Sequence, residues 1–147
     1  MEFKTRIPFV EQLGFELLRM QGGEAEVAVE VNEALSNSWG VAHGGVLMTL
    51  LDVTMAQAAR SPTAPEDPPR PGVVTVEMKT SFLRPGLGRL TARGRVLHRT
   101  ASLAFCDGTV HDADGRIVGH ASGTFKYMKA LPVGNAGRRI HKLNASD

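Results

Sequence analysis

The sequence predicts an α+β domain: a curled antiparallel sheet of about six strands around one long central helix. Three observations predict it. Residues alternate in polarity with period two in segments before residue 32 and after residue 72. Between them, 44–60 is long, free of proline and apolar on most sides. The connections between the alternating segments are short, which favours antiparallel pairing. One helix covers one face of six strands, so two layers result. A helix apolar around most of its circumference needs cover on several sides, so the sheet has to curl around it.

Residues 7–13 (IPFVEQL) read as a short helix or turn ending at Gly14, and Phe15 to Gln21 as a short strand. Gly22-Gly23 is a hairpin signal. In "EAEVAVEV", Ala25, Val27, Val29 and Val31 point one way and Glu24, Glu26 and Glu30 the other, a strand with one wet face. Asn32 to His43 is a loop. The helix from Gly44 to about Arg60 would be about 25 Å long. Five prolines between Ser61 and Gly72 end it in a stiff, irregular loop. "VVTVEMKTSFL" puts Val74, Val76, Met78 and Phe82 on one face and Thr75, Glu77 and Lys79 on the other. After a turn at Pro85-Gly86, strands are expected at 89–100, 102–110 and 116–127, giving four in a meander with a turn at Asp112–Gly115. The expected domain is 1–128, followed by a basic, flexible tail over 129–147.

With 147 residues, 42% hydrophobic and 22% charged, the chain has a single globular domain's composition. A net charge of +2, 5% aromatics and scattered cations do not make a nucleic-acid groove. One cysteine, Cys106, excludes an internal disulfide, and its place in a strand reads as an inert buried thiol. No signal peptide opens the chain and no segment is apolar enough to span a membrane, so the expected location is cytoplasmic. The histidines at 43, 98, 111, 120 and 141 show no ligand spacing, so no metal is expected.

The chemistry is concentrated in "NSWGVAHGGVLMTLLDVTMAQAA", Asn37 to Ala59. From Gly44 onward Asp52 is its only charged residue. An isolated ionised carboxylate in a dry core costs several kcal/mol, so Asp52 calls for a cleft or a partner. Gly44-Gly45 stands where the helix begins, with N–H groups that lack internal partners and carry partial positive charge. Glycine lets a ligand approach that backbone closely. One such donor to a developing oxyanion is worth about 3 to 4 kcal/mol in acyl transfer. Eight residues separate Gly44 from Asp52, about 12 Å along the axis. If both act on one carbonyl, they come from different copies of the helix, antiparallel across a two-fold axis.

The motif Asn37-x5-His43-Gly44-Gly45-x6-Asp52, with the order of elements and "PGVVTVEMKTSFLRPG", resembles the hot-dog-fold acyl-CoA thioesterases, most closely the phenylacetate-pathway (PaaI-like) branch. The resemblance covers roughly residues 10–128. It implies a dimer, commonly paired into a tetramer, with active sites across the dimer interface. It implies Asp52 as the catalytic carboxylate and the Gly44 N–H as polariser of the thioester carbonyl. Asn37 would lie near the thioester or the water, His43 would orient the loop, and Thr75 would help to hold the water. Gly45, Lys79 and Arg84 are the substrate-binding candidates, and Arg99 is a further cation for the coenzyme A (CoA) phosphates. Coenzyme A is part of the substrate, and no separate cofactor is implied. The proline-rich loop is longer than the resemblance leads one to expect and is a candidate wall of the acyl pocket.

The reaction inferred is hydrolysis of an acyl-CoA to a carboxylic acid and CoA, with Asp52 as general base or as nucleophile through an anhydride. Each residue has a plainer reading. Asp52 would be a structural acid bonded to Thr49 one turn back or to a loop N–H, Gly44-Gly45 a tight junction, and Asn37 a turn cap. Serines lack a nucleophile elbow. Two other classes stay open: a hot-dog hydratase or dehydratase, disfavoured because no histidine lies within a turn of Asp52, and a non-catalytic acyl-CoA binding module.

Overall fold

The computed structural model describes residues 1–133 and 139–142. The elements are α1 (Pro8–Leu13), β1 (Glu16–Gln21), β2 (Glu24–Glu30), a 3-10 turn at Glu33–Leu35, α2 (Gly44–Arg60), β3 (Val73–Phe82), β4 (Arg89–Arg99), β5 (Leu103–His111), β6 (Ile117–Tyr127), β7 (Ala130–Val133) and β8 (Arg139–Lys142). The first six strands form one antiparallel sheet in the order β1-β2-β4-β5-β6-β3. It wraps α2, as the apolar circumference of that helix requires. No helix among the described residues is long and apolar enough to cross a membrane.

The β1–β2 hairpin turns on Gly22 (φ 64°) and Gly23 (φ 82°). A two-residue turn that matches strand twist needs positive φ at both central positions, which only glycine adopts freely. Inward residues of the central strands, among them Val27, Leu90, Ala92, Cys106, Val110 and Phe125, are fully buried against Leu50, Leu51 and Met55 of α2. Each large apolar side chain buried this way contributes about 1.5–3 kcal/mol. The helix lies close to the sheet because its seat is glycine. Gly94 and Gly108 face each other across β4 and β5. A Cβ on Gly94 would stand 3.1 Å from the carbonyl carbon and oxygen of Thr54 in the helix backbone. Burial pushes the Cys106 thiol up to about 12, consistent with an inert sulfur.

Two features differ from the sequence expectation. The meander has three strands, β4-β5-β6, and β3 pairs with β6 at the far edge. Residues 83–88 are therefore a crossing and not a hairpin. The Gly86 carbonyl accepts the Ala42 N–H (2.8 Å), and Gly86 is buried against Leu90, Ala42 and Val118. Proline-glycine marks a change of direction; it does not say which strand comes next. Second, residues 130–133 and 139–142 pair as a separate two-stranded ribbon where a loose tail was expected. The rest of that tail, 134–138 and 143–147, lies outside the described residues.

Candidate active site

The sheet leaves one stripe of α2 uncovered. Gly45, Met48, Thr49, Asp52 and Ala56 are exposed or half-buried, while Leu47, Leu50, Leu51, Thr54, Met55 and Ala58 are buried. Three- and four-residue steps put these five on one helical face. This explains an acid inside an apolar run: the Asp52 carboxylate looks out of the core, into a cleft of about 400 Å³.

Among the described residues Asp52 has one side-chain partner. The Thr75 hydroxyl donates to its Oδ1 at 2.6 Å. The plainer reading, a bond to Thr49, does not occur; that hydroxyl donates to the Gly45 carbonyl instead (2.8 Å). Burial raises the Asp52 carboxyl above its ordinary value, and the bond from Thr75 partly opposes the rise. Strict alternation puts Thr75 on the opposite face of its strand from Met78, yet both line the Asp52 cleft. The reason is a bulge: the β3–β6 register shifts between Thr75 and Glu77, leaving Val76 as an extra residue, 57% exposed. One inserted residue reverses the facing of everything beyond it. Lys79, paired with Ser122, consequently lies on the outer face of β3, away from Asp52.

The start of α2 forms a second groove, of about 380 Å³, shared by Gly44, Asn37, Trp39, Phe82 and Arg84. Asn37 pins the approaching loop; its Oδ1 accepts the N–H groups of Trp39 (2.9 Å) and Val41 (3.3 Å). His43 caps the helix. Its Nδ1 accepts from the Gly45 N–H (2.9 Å), and its carbonyl accepts from Val46 (2.9 Å) and Leu47 (3.3 Å). Of the first four helical N–H groups, only that of Gly44 has no acceptor among the described residues. The Phe82 ring lies 3.3 Å from where a Gly44 Cβ would stand. Arg84 lines the same groove and donates to the Ile117 carbonyl (2.8 Å). Gly45, by contrast, has its N–H occupied.

The structure thus brings together Asp52 with Thr75, and Gly44 with Asn37, His43 and Arg84. It does not bring the two sets together within one chain: Asp52 and Thr75 line one groove, and Gly44, Asn37 and Arg84 line another. The proline-rich loop also departs from expectation. It runs from Ser61 along the β1–β2 hairpin, where Ser61 Oγ and the Pro62 carbonyl accept the N–H groups of Gly23 and Gly22. It does not reach the Asp52 cleft. Its Arg70 instead joins Arg99 and Lys129 around a recess of about 250 Å³ with the hydroxyl residues Thr100, Ser102 and Tyr127, and no acidic side chain. Arg99 donates to Tyr127 Oη (2.8 Å) and to the Ala59 carbonyl (3.2 Å). Arg70 Nε is buried without an acceptor among the described residues. The sequence reading missed this recess because Arg70, Arg99 and Lys129 are far apart along the chain.

The family model of the thioesterase superfamily matches residues 40–118, more than half of the chain. Solved structures are similar over most of its length. A conserved protein of Pseudomonas aeruginosa, PA5202, is 29% identical with a TM-score of 0.76, covering 85% of this chain and 97% of that one. The PaaI protein from the phenylacetic acid degradation operon of E. coli is 25% identical with a TM-score of 0.74, covering 82% and 83%. A Streptococcus mutans protein, solved bound to acetyl CoA, is 27% identical with a TM-score of 0.69, covering 78% and 88%.

Proposed function

The chain belongs to the thioesterase superfamily, hydrolases of acyl thioesters with the hot-dog fold, and on that footing we propose that it hydrolyses acyl-CoA. Asp52 is the base or nucleophile, and the Gly44 N–H of a second copy is the carbonyl polariser. The observation that carries this reading is that Asp52 and the Gly44 N–H line separate grooves of one chain. One holds a carboxylate oriented by a hydroxyl. The other holds a helix-start N–H with no acceptor among the described residues. Two copies with antiparallel α2 helices would bring each half-site to the other.

In the general-base route Asp52 takes a proton from a water beside Thr75. The hydroxide adds to the thioester carbon, and the oxyanion accepts the Gly44 N–H. The tetrahedral adduct then expels the CoA thiolate. In the nucleophilic route Asp52 Oδ adds to the same carbon, the adduct expels the CoA thiolate to leave an anhydride, and water opens the anhydride to the free acid and the Asp52 carboxylate. A thiolate leaves readily, so neither route needs a strong acid, and His43 serves by capping the helix.

The basic recess supports CoA as the carrier. Arg70, Arg99 and Lys129 converge without an acidic neighbour, and a buried guanidinium N–H without an acceptor favours an anionic one. The phosphates of CoA are such acceptors. A relative was solved with acetyl CoA.

Thiol release over short, medium, long and aryl acyl-CoAs, with wild type and Asp52→Asn, tests the reading. Turnover of at least one class and its loss in Asp52→Asn is the expected result. Wild-type inertness across the panel, or an Asp52→Asn enzyme with unchanged rates, overturns it. Comparing CoA with dephospho-CoA thioesters in Arg70→Ala tests the carrier: KM should rise, and the gap between the two carriers should narrow.

A further inference from the structure

The Asp52 cleft has a wall that the expected mechanism does not use. Ile7, Phe9 and Val10, at the start of α1, line it together with Met48 and Met78. The helix is fixed in place: Val10 is 2% exposed, and Gly14, at φ 72°, caps it with an N–H donated to the Glu11 carbonyl. Phe9, next to the buried anchor, is 59% exposed, and Met48, in the same lining, is 39% exposed. The polar lining is already committed. The Thr49 hydroxyl is bonded to the Gly45 carbonyl and that of Thr75 to Asp52. Among the described residues, Asp52 is the only charged one lining the cleft.

We infer that this wall is the acyl side of the site, that it takes uncharged apolar acyl groups, and that Phe9 selects among them by size. The assignment rests on the part of the proposed function that places the thioester carbonyl beside Asp52, not on turnover. An acyl chain extending from a carbonyl beside Asp52 enters a space of apolar walls. Phe9 offers a flat apolar surface, and the two methionines adapt to different shapes through unbranched, polarisable side chains. A terminal carboxylate on the acyl group would lose its hydration, find no cation in the cleft and face the charge of Asp52.

The test is equilibrium binding, so that it does not depend on turnover. Calorimetry is run on the full chain with non-hydrolysable CoA ketone analogues: a 2-oxopropyl, a 2-oxooctyl, a phenyl-bearing analogue and a carboxylate-terminated analogue matched to the octyl in length. The octyl analogue should bind at least about tenfold tighter than its carboxylated match. Phe9→Ala should weaken the octyl and phenyl analogues about fivefold to tenfold and leave the 2-oxopropyl analogue unchanged. Phe9→Leu should recover most of the loss. Equal affinity for the apolar and carboxylated analogues overturns the assignment. So does a Phe9→Ala variant that weakens all analogues alike, or that loosens the dimer while keeping the affinity ratios, since the wall then serves a second copy of the chain. Discrimination in binding without hydrolysis of any thioester refutes the hydrolytic reading and leaves this one standing; hydrolysis without discrimination does the opposite.

Discussion

Asp52 sits where its surroundings oppose its charge, and Thr75 is the group that makes the charge tolerable. Burial raises the carboxyl above its ordinary value, so the folded chain holds the proton more tightly than the unfolded chain does. The stability this group contributes is present below its unfolded pKa and is lost as pH rises through the higher folded one. Asp52→Asn is therefore expected to raise Tm at neutral pH while lowering kcat by about 10²–10⁴-fold, as calorimetric melts and thiol release would read. The base must be ionised to act, so the rate should rise with pH through the raised pKa. Thr75→Val removes a hydrogen bond that favours the ionised form. Its pH–rate midpoint should move further up, and a midpoint that moves down would contradict the role given to Thr75. The candidacy of Asp52 was legible from one acid in an apolar run. Its partner was not, because period two put Thr75 on the wrong face and only the bulge at Val76 corrects it.

α2 joins the two half-sites at the cost of close packing. Its first turn can be probed with one substitution. Proline is tolerated at the first helical position, and the preceding residue, His43, already has the extended backbone that proline requires (φ −61°, ψ 139°). Gly44→Pro deletes the N–H that has no acceptor and keeps the helix start. It should lower kcat by about 10²–10³-fold with a Tm close to wild type, because the new Cβ meets the Phe82 ring, a 53% exposed side chain that can turn aside. On the sheet side, Gly94→Ala drives a methyl group to 3.1 Å from the Thr54 backbone, which has no rotamer with which to yield. A cost of about 1–3 kcal/mol is expected, seen as a Tm lowered by several degrees. That α2 is a buried helix could be read from its apolar circumference. That its seat is a pair of facing glycines could not, because Gly94 and Gly108 meet only through the β4–β5 register.

A single protomer presents the carboxylate and the electrophilic N–H in different grooves, so the proposed chemistry belongs to a pair of chains. Mixing two inactive variants tests this directly. In a hybrid of Asp52→Asn and Gly44→Pro subunits, one of the two composite sites has both groups intact. Refolding the variants together should restore about a quarter of wild-type turnover, from one live site in the half of dimers that are hybrid. Turnover no greater than the sum of the separate variants would mean that both groups serve within one chain. The crossing at residues 83–88 contributes to the same design. It carries Arg84 and Pro85 past the start of α2 and leaves β3 as an open edge at the far side of the sheet.

Local pattern determines much of this protein. Polarity of period two, two adjacent glycines and a proline-free apolar run specify strands, a hairpin and a buried helix, because each depends on neighbours within a few residues. The distance from Gly44 to Asp52 is likewise a property of the helix and needs no fold to state. Long-range pairing decides the rest. The far-edge place of β3, the bulge that turns Thr75 toward Asp52, the basic recess of Arg70, Arg99 and Lys129, and the wall carried by α1 all join residues distant in the chain. Their contacts depend on register and on closure of the sheet around one helix, which are collective properties that no short window of residues contains.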